Sequence, residues 1–330
     1  MNKRVSMIIT LITLVILFLS VYLFSDKDKL EIVLKEAKPS LLLWAVFCMF
    51  LYWFMQSILL KQLLNNRGEK ISFRSAFRLQ MIGEFFGAIT PLATGGQPIQ
   101  VMYLANKNIQ PGKSTAVLGI HLFYYHIARV LIALILTIIY SRYFFIENTS
   151  IRILLSIGLV VNFLVGIFML FAGVKPEPIK KFAKKIIDLL ARFKIVKNKD
   201  RVLNKTSEEI NNFSNSINVF KQQKISIMLL ILIETVVYLT VYFLATIFII
   251  KSLGIKVSSV ALLIACQASV SLISAYVPLP GGSLGAEGAF YLIFSGILPA
   301  NAPLFLILFI WRILTYYLTL FIGFLFALKI

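Results

Sequence analysis

Five ionisable side chains stand where ionisable side chains are scarce. Glu84, Arg129, Glu234, Glu287 and Arg312 each lie within or at the edge of a long apolar run. A charge near a bilayer centre costs about 2.5–3.5 kcal/mol on insertion scales, so such residues face a protein interior or a wet cavity and mark functional sites. Their chemistry is ionic recognition. A guanidinium is a planar fork of donors that grips a phosphate at two points, and a carboxylate receives a cationic group. Tyr125 and His126 precede Arg129 by four and three residues, and Tyr316 follows Arg312 by four, so on helices they share the arginine faces. Arg129 and Arg312 are expected on phosphate, with Tyr125, His126 and Tyr316 beside them; Glu84 and Glu287 are expected on a cationic group or in gating. A second reading is a set of buried structural ion pairs joining two halves of the molecule, and the two roles are compatible. Glu84 and Glu287 do not occupy matching positions in those halves, so no symmetric pairing follows.

The backbone near these charges is broken in two places. Ile89-Thr90-Pro91-Leu92-Ala93-Thr94-Gly95-Gly96-Gln97 and Tyr276-Val277-Pro278-Leu279-Pro280-Gly281-Gly282-Ser283 each interrupt an apolar stretch. Proline removes an amide donor and adjacent glycines stop a helix from propagating. The freed backbone groups each cost several kcal/mol in hydrocarbon unless protein or a wet cavity satisfies them. Pro91, Gly95, Gly96, Pro278, Gly281, Gly282 and Gly285 are therefore expected to form two broken helices around a transporter-type binding site. A Pro/Gly kink in an ordinary packed helix is the plainer alternative.

Composition demands a membrane. Of the 330 residues 59% are hydrophobic, the mean hydropathy is +0.88, and soluble domains hold roughly 45–50% apolar residues. At least six apolar runs approach or exceed the ~18 residues that cross a bilayer. The formal charge of +19 serves topology and anionic lipid before nucleic acid, for which no motif is present. Cys48 and Cys266 sit far apart in apolar runs, so neither a disulfide framework nor a metal site is expected. No His-Glu-x-x-His, Walker loop or Asp-rich cluster occurs, so no cofactor is expected and transport must run on ion or substrate gradients.

Taken in order, Met7–Phe24 reads as a retained first crossing with a cytoplasmic N-terminus. Pro39–Leu64 reads as the second, and the basic residues after it place that loop inside. Residues 76–104 are expected to re-enter as a hairpin. Crossings follow at Thr115–Tyr140, Ile151–Val174, Ile225–Ile250 and Pro303–Leu328, the last with a cytoplasmic C-terminus. Residues 257–298 read equally as a second re-entrant pair or as two full crossings. Residues 174–224 hold thirteen Lys/Arg against five Asp/Glu. Ile179, Phe182, Ile186, Leu190 and Phe193 repeat at helical spacing there, which suits a helix on an anionic leaflet or one packed on cytoplasmic loops.

Residues 39–141 laid over 226–328 bring Pro91-Leu92 onto Pro278-Leu279, Gly95-Gly96 onto Gly281-Gly282, and Arg129 close to Arg312. Counting crossings, one half starts outside and the other inside. The expected fold is an all-α polytopic membrane protein in one domain, 1–330: an inverted repeat with two broken, re-entrant helical hairpins and about six full crossings.

The Thr-Pro-Leu-Ala-Thr-Gly-Gly-Gln-Pro and Val-Pro-Leu-Pro-Gly-Gly-Ser-Leu-Gly-Ala-Glu-Gly stretches resemble the flippase-like membrane region of the lysylphosphatidylglycerol synthases, the multiple peptide resistance factor family, over about residues 5–328. The resemblance implies movement of aminoacylated phospholipid, or in some relatives lipid-linked sugars, between leaflets. It adds Gln97 to the expected binding residues through the first motif. The soluble tRNA-using transferase domain of the full-length synthases has no counterpart in these 330 residues, so lysyl transfer by the chain alone is not expected. The expected partners are a phospholipid or lipid-linked substrate and the anionic inner leaflet of the cell membrane. A separate transferase subunit and a homodimer complete the set. Two other classes remain open: the membrane module of a lipid-modifying transferase, and a scaffold acting through the basic loop.

Overall fold

The computed structural model describes residues 35, 37–146, 149–192, 198–221, 224–256, 259–275 and 277–328. The expected first crossing at Met7–Phe24 lies outside them, as do Tyr276 and Phe193. In chain order the first half holds α1 (Pro39–Asn65), α2 (Phe73–Ala88), a 3₁₀ turn (Pro91–Ala93), α3 (Gly96–Ala105) and α4 (Pro111–Ile139). Then come α5 (Thr149–Val174), α6 (Pro176–Arg192) and α7 (Lys199–Lys221). The second half holds α8 (Ile225–Ser252), α9 (Val260–Ser274), a second 3₁₀ turn (Pro280–Gly282), α10 (Gly285–Ser295) and α11 (Leu304–Ala327). Five of these helices are long and apolar enough to cross a bilayer: α1, α4, α5, α8 and α11. Among the described residues there is no strand, and the chain is an all-α polytopic membrane protein.

The order long helix, short helix, 3₁₀ turn, short helix, long helix thus occurs twice. Local chemistry recurs with it. Ser72 caps α2 by accepting from Ser75 N at 3.2 Å, and Ser259 caps α9 by accepting from Leu262 N at 3.2 Å. Each capped helix is short, 16 residues in α2 and 15 in α9, and the limbs after the turns have 10 and 11. None reaches the ~20 residues of a full crossing.

Packing between the halves is exchanged. α1 and α8 run antiparallel: Lys38 N donates to Ser252 O at 2.7 Å at one end, and Gln62 Nε2 meets Glu234 Oε1 at 3.5 Å towards the other. Tyr52 packs on Tyr238 and Tyr242 between them. α2 lies on α11 of the other half, where a Cβ on Gly323 would fall 2.8 Å from Met81 O. Reciprocally, α9 lies on α4, and Tyr140 Oη meets Ser259 Oγ at 3.0 Å. The first limb of each hairpin therefore rests on the last helix of the opposite half.

The basic insert forms two helices rather than one. α7 is pinned to the end of α5, with Ser214 Oγ donating to Gly173 O at 3.0 Å and Ile217 seated over Gly173. α6 packs on α7 and buries Ile179 and Ile187.

Candidate functional site

Each break in the hairpins is closed by its own residues. In the first, Thr90 Oγ1 donates to Phe86 O at 2.7 Å and accepts from Gly95 N at 2.8 Å, which satisfies backbone groups that the interrupted helix leaves unpaired. In the second, Ser283 Oγ donates to Pro280 O at 2.7 Å.

The backbone corrects the expected register of the repeat. Left-handed φ values fall on Leu92 (52°) and Ala93 (55°) in the first turn and on Gly281 (61°) and Gly282 (62°) in the second. Pro91 thus matches Pro280, not Pro278, and Leu92-Ala93 match Gly281-Gly282. Gly96 and Gly285 both open the second limb. Gly95, at φ −83°, uses smallness rather than freedom: a Cβ there would meet Thr90 Cγ2 at 2.6 Å. Glycine permits a left-handed residue without dictating one, so glycine pairs are poor registration marks. Pro278 is exposed and precedes the turn.

The two turns touch. Tyr316 Oη donates to Ala88 O at 3.2 Å, while its ring covers Gly281 so closely that a Cβ there would lie 2.1 Å from Tyr316 Cε2. Arg312 Nη1 donates to Gly281 O at 3.3 Å.

Between the turns and the long helices lies a cavity of about 360 Å³. Its walls include Glu84, Gly96, Gln97, Tyr125, Arg129, Gly281, Gly282, Arg312 and Tyr316. Glu287 stands behind Arg312, its Oε1 2.8 Å from Arg312 Nε. That pair is a charge contact rather than a linear hydrogen bond, since the Nε proton points at no acceptor. His126 also stands back from the cavity, with Nε2 3.2 Å from Asn162 O on α5 and Nδ1 3.4 Å from Arg129 Nη2. Pro91, Gly95, Pro278 and Gly285 do not line it. Glu234 lies apart, against Gln62.

A charge-led reading passes over most of the neutral lining. Gln56, Gln80, Gln100 and Gln267 are amides inside apolar helices, each 7% exposed or less. His121, Tyr52, Tyr242, Trp311, Ser271 and Ser274 join them. Glutamine in an apolar run is itself a legible signal, because a buried amide needs partners. Gln80 Nε2 donates to Gln56 Oε1 and to Glu84 Oε1, both at 2.8 Å. Among the described residues Gln56 Nε2, Gln267 Oε1, Trp311 Nε1 and Arg129 Nε are buried without a hydrogen-bond partner.

The electrostatics are asymmetric. Arg312 is neutralised by Glu287. Among the described residues Arg129 has no carboxylate within ion-pair distance, its neighbours being His126 and the Tyr125 ring at 5.4 Å. Glu84, among the described residues, has no cation within that distance and is held by Gln80. A positive group on α4 and a negative group on α2 thus face one polar chamber. Such a chamber accommodates a polar head that carries both signs of charge.

Comparison with known proteins agrees with this architecture. The family model described as "Lysylphosphatidylglycerol synthase TM region" matches residues 7–323. A "UPF0104 membrane protein" of Archaeoglobus fulgidus is 24% identical over 308 residues, spanning 92% of this chain and 90% of that protein.

Proposed function

Because the chain belongs to the family of the lysylphosphatidylglycerol synthase TM region, we propose that it moves the headgroup of a phospholipid between leaflets, with the acyl tails left in the bilayer. The observation that carries this reading is a chamber bounded by both broken hairpins and both intramembrane arginines. Arg129 takes the phosphate, because among the described residues its charge has no counter-ion to compete. Arg312, tied to Glu287 and to Gly281 O, holds the second turn and offers a weaker second contact. Glu84 takes the amine of a lysyl or similar headgroup.

The exchanged packing supports a mechanism. First helices that run antiparallel, and limbs that rest on the opposite half's last helix, suit an inverted repeat whose halves rock about one site. In this reading residues 39–141 and 226–328 are the two repeats. On the same reading both termini are cytoplasmic and the membrane is the plasma membrane, in keeping with the excess of Lys and Arg in the loops expected inside.

A lipid-linked sugar is the second reading, favoured by the neutral lining. Gln56, Gln100 and Gln267 offer amide hydrogen bonds, and Tyr52, Tyr242 and Trp311 offer ring faces, the combination that suits hydroxylated rings.

The test is purified protein in liposomes with fluorescent phosphatidylglycerol, lysylated phosphatidylglycerol or a lipid-linked sugar in one leaflet. Wild-type protein accelerates leaflet exchange of one of these lipids, and Arg129→Ala slows it about tenfold. Exchange no faster than in empty liposomes for all three lipids rejects the proposal. Exchange indifferent to both Arg129→Ala and Arg312→Ala rejects the assigned site. Lysine incorporation from charged tRNA by the protein alone would restore the transferase reading.

A further inference from the structure

α6 follows α5 with a single residue between them, Lys175, so it begins directly at the end of a helix long and apolar enough to cross a bilayer. On α5 the exposed residues Ile157, Val160, Leu164, Phe168 and Phe171 form an apolar stripe at three- and four-residue steps, the surface expected against lipid. Among the described side chains of α6 the protein buries one apolar edge, that of Ile179 and Ile187. Phe182, Ile186 and Leu189 form a second edge and remain 55%, 42% and 52% exposed. Going round the helix, the order is the buried edge, then this exposed edge, then Lys181, Lys185 and Arg192 about 60–100° further on. The acidic residues of α6 are already engaged, Glu177 by Lys180 and Asp188 by Lys199 of α7 at 2.9 Å. The exposed edge is therefore bordered by cations that no carboxylate of α6 neutralises.

We propose that α6 lies in the headgroup layer of an anionic leaflet, with Phe182, Ile186 and Leu189 below the phosphates and Lys181, Lys185 and Arg192 upon them. This surface is separate from the cavity and independent of what the cavity carries. The charge pattern selects the occupant. A basic border along one side of an apolar ridge matches acidic lipid, whose negative surface attracts lysine and arginine. A second copy of this chain would bring the same positive ridge against itself.

The experiment uses the full-length chain in nanodiscs. Cys48 is 6% exposed and Cys266 is 0% exposed, so a thiol introduced by Ile186→Cys takes an environment-sensitive fluorophore selectively. Headgroup-region spin labels are then supplied on phosphatidylglycerol or on phosphatidylcholine at equal mole fraction. The labelled phosphatidylglycerol quenches about threefold more strongly, and Lys181→Gln with Lys185→Gln and Arg192→Gln removes that preference. Lys184→Gln, on the opposite side of α6, leaves it intact. Leu189→Cys repeats the result, and Arg201→Cys, exposed on α7, is quenched by neither lipid. Equal quenching by the two lipids overturns the proposal. So does a dry but unquenched label, the mark of a protein partner or second copy, and so does a label that remains in water.

Discussion

Arg312 and Glu287 stand 2.8 Å apart, Nε to Oε1, and the arginine also reaches the Gly281 carbonyl. One guanidinium thereby joins the last helix, the second turn and the limb after it. Arg129 has no such engagement. The two arginines both line the chamber but hold unequal positions, Arg312 tied to a carboxylate and a turn carbonyl and Arg129 beside His126 and the Tyr125 ring.

Glu287→Gln leaves Arg312, a residue 4% exposed, with a buried charge and no counter-charge. Breaking a buried pair from one side costs about 3–5 kcal/mol. Thermal unfolding in detergent should show a loss of that order. Replacing both residues with methionine should recover most of it. A loss under about 1 kcal/mol in the single variant would mean the pair is solvated.

Arg129→Ala should behave in the opposite way. No ion pair is lost, so the melting temperature moves less than in Glu287→Gln, while exchange of a phosphate-bearing lipid falls about tenfold. Arg129→Lys should recover only part of the rate, because an ammonium does not present the two-point fork.

Glu84→Gln should change selectivity more than overall rate. Side-by-side exchange of lysylated and unmodified phosphatidylglycerol reads this directly. The variant should lose preference for the amine-bearing lipid and keep movement of the other. Equal slowing of both would assign Glu84 to the hairpin's structure, through Gln80 and Gln56.

Two glycines seven residues apart make a contrast. Gly281→Ala places a Cβ 2.1 Å from the Tyr316 ring at φ +61°, and the variant should lose about 2 kcal/mol or more. Gly288, within α10, has nothing within 4 Å of the added carbon, and Gly288→Ala should gain up to about 1 kcal/mol from helix propensity. Denaturation midpoints of the two variants test the pair.

Leu92 adopts φ 52° with no glycine to ease it. A left-handed non-glycine residue costs about 1–2 kcal/mol, and glycine adds about 0.5–1 kcal/mol of chain entropy to folding. Leu92→Gly should therefore stabilise the protein slightly, by less than about 1 kcal/mol. A clear loss would assign the Leu92 side chain, which lines the cavity, a packing role.

Much of the architecture was legible because hydrocarbon is an intolerant solvent. Apolar runs longer than a bilayer, and charges and glycine pairs inside them, have few explanations. Arg129, Arg312, Glu84 and the two breaks followed from that intolerance alone. The neutral residues did not. Gln56, Gln80 and Gln267 carry no charge, and a reading that ranks residues by transfer cost places them below arginine. His126 shows the complementary limit: its spacing puts it beside Arg129, as found, while its Nε2 meets Asn162 O rather than the chamber. Helical spacing fixes a face and leaves open which neighbour that face meets.

By itself the sequence determined that the chain is a polytopic membrane protein, where its helices break and which charges must be sheltered, since those depend on local composition and on the solvent outside. It left 257–298 open between a re-entrant pair and two crossings. Only the tertiary structure decided that Glu287 rather than Glu84 takes an arginine, that Leu92-Ala93 answer to Gly281-Gly282, and that each hairpin limb packs on the opposite half. Those outcomes depend on distances between separate segments, 119 residues apart at Tyr140 and Ser259 and 228 apart at Ala88 and Tyr316. Even Glu287 and Arg312 meet across a change of helix, and no property of either segment alone contains such outcomes.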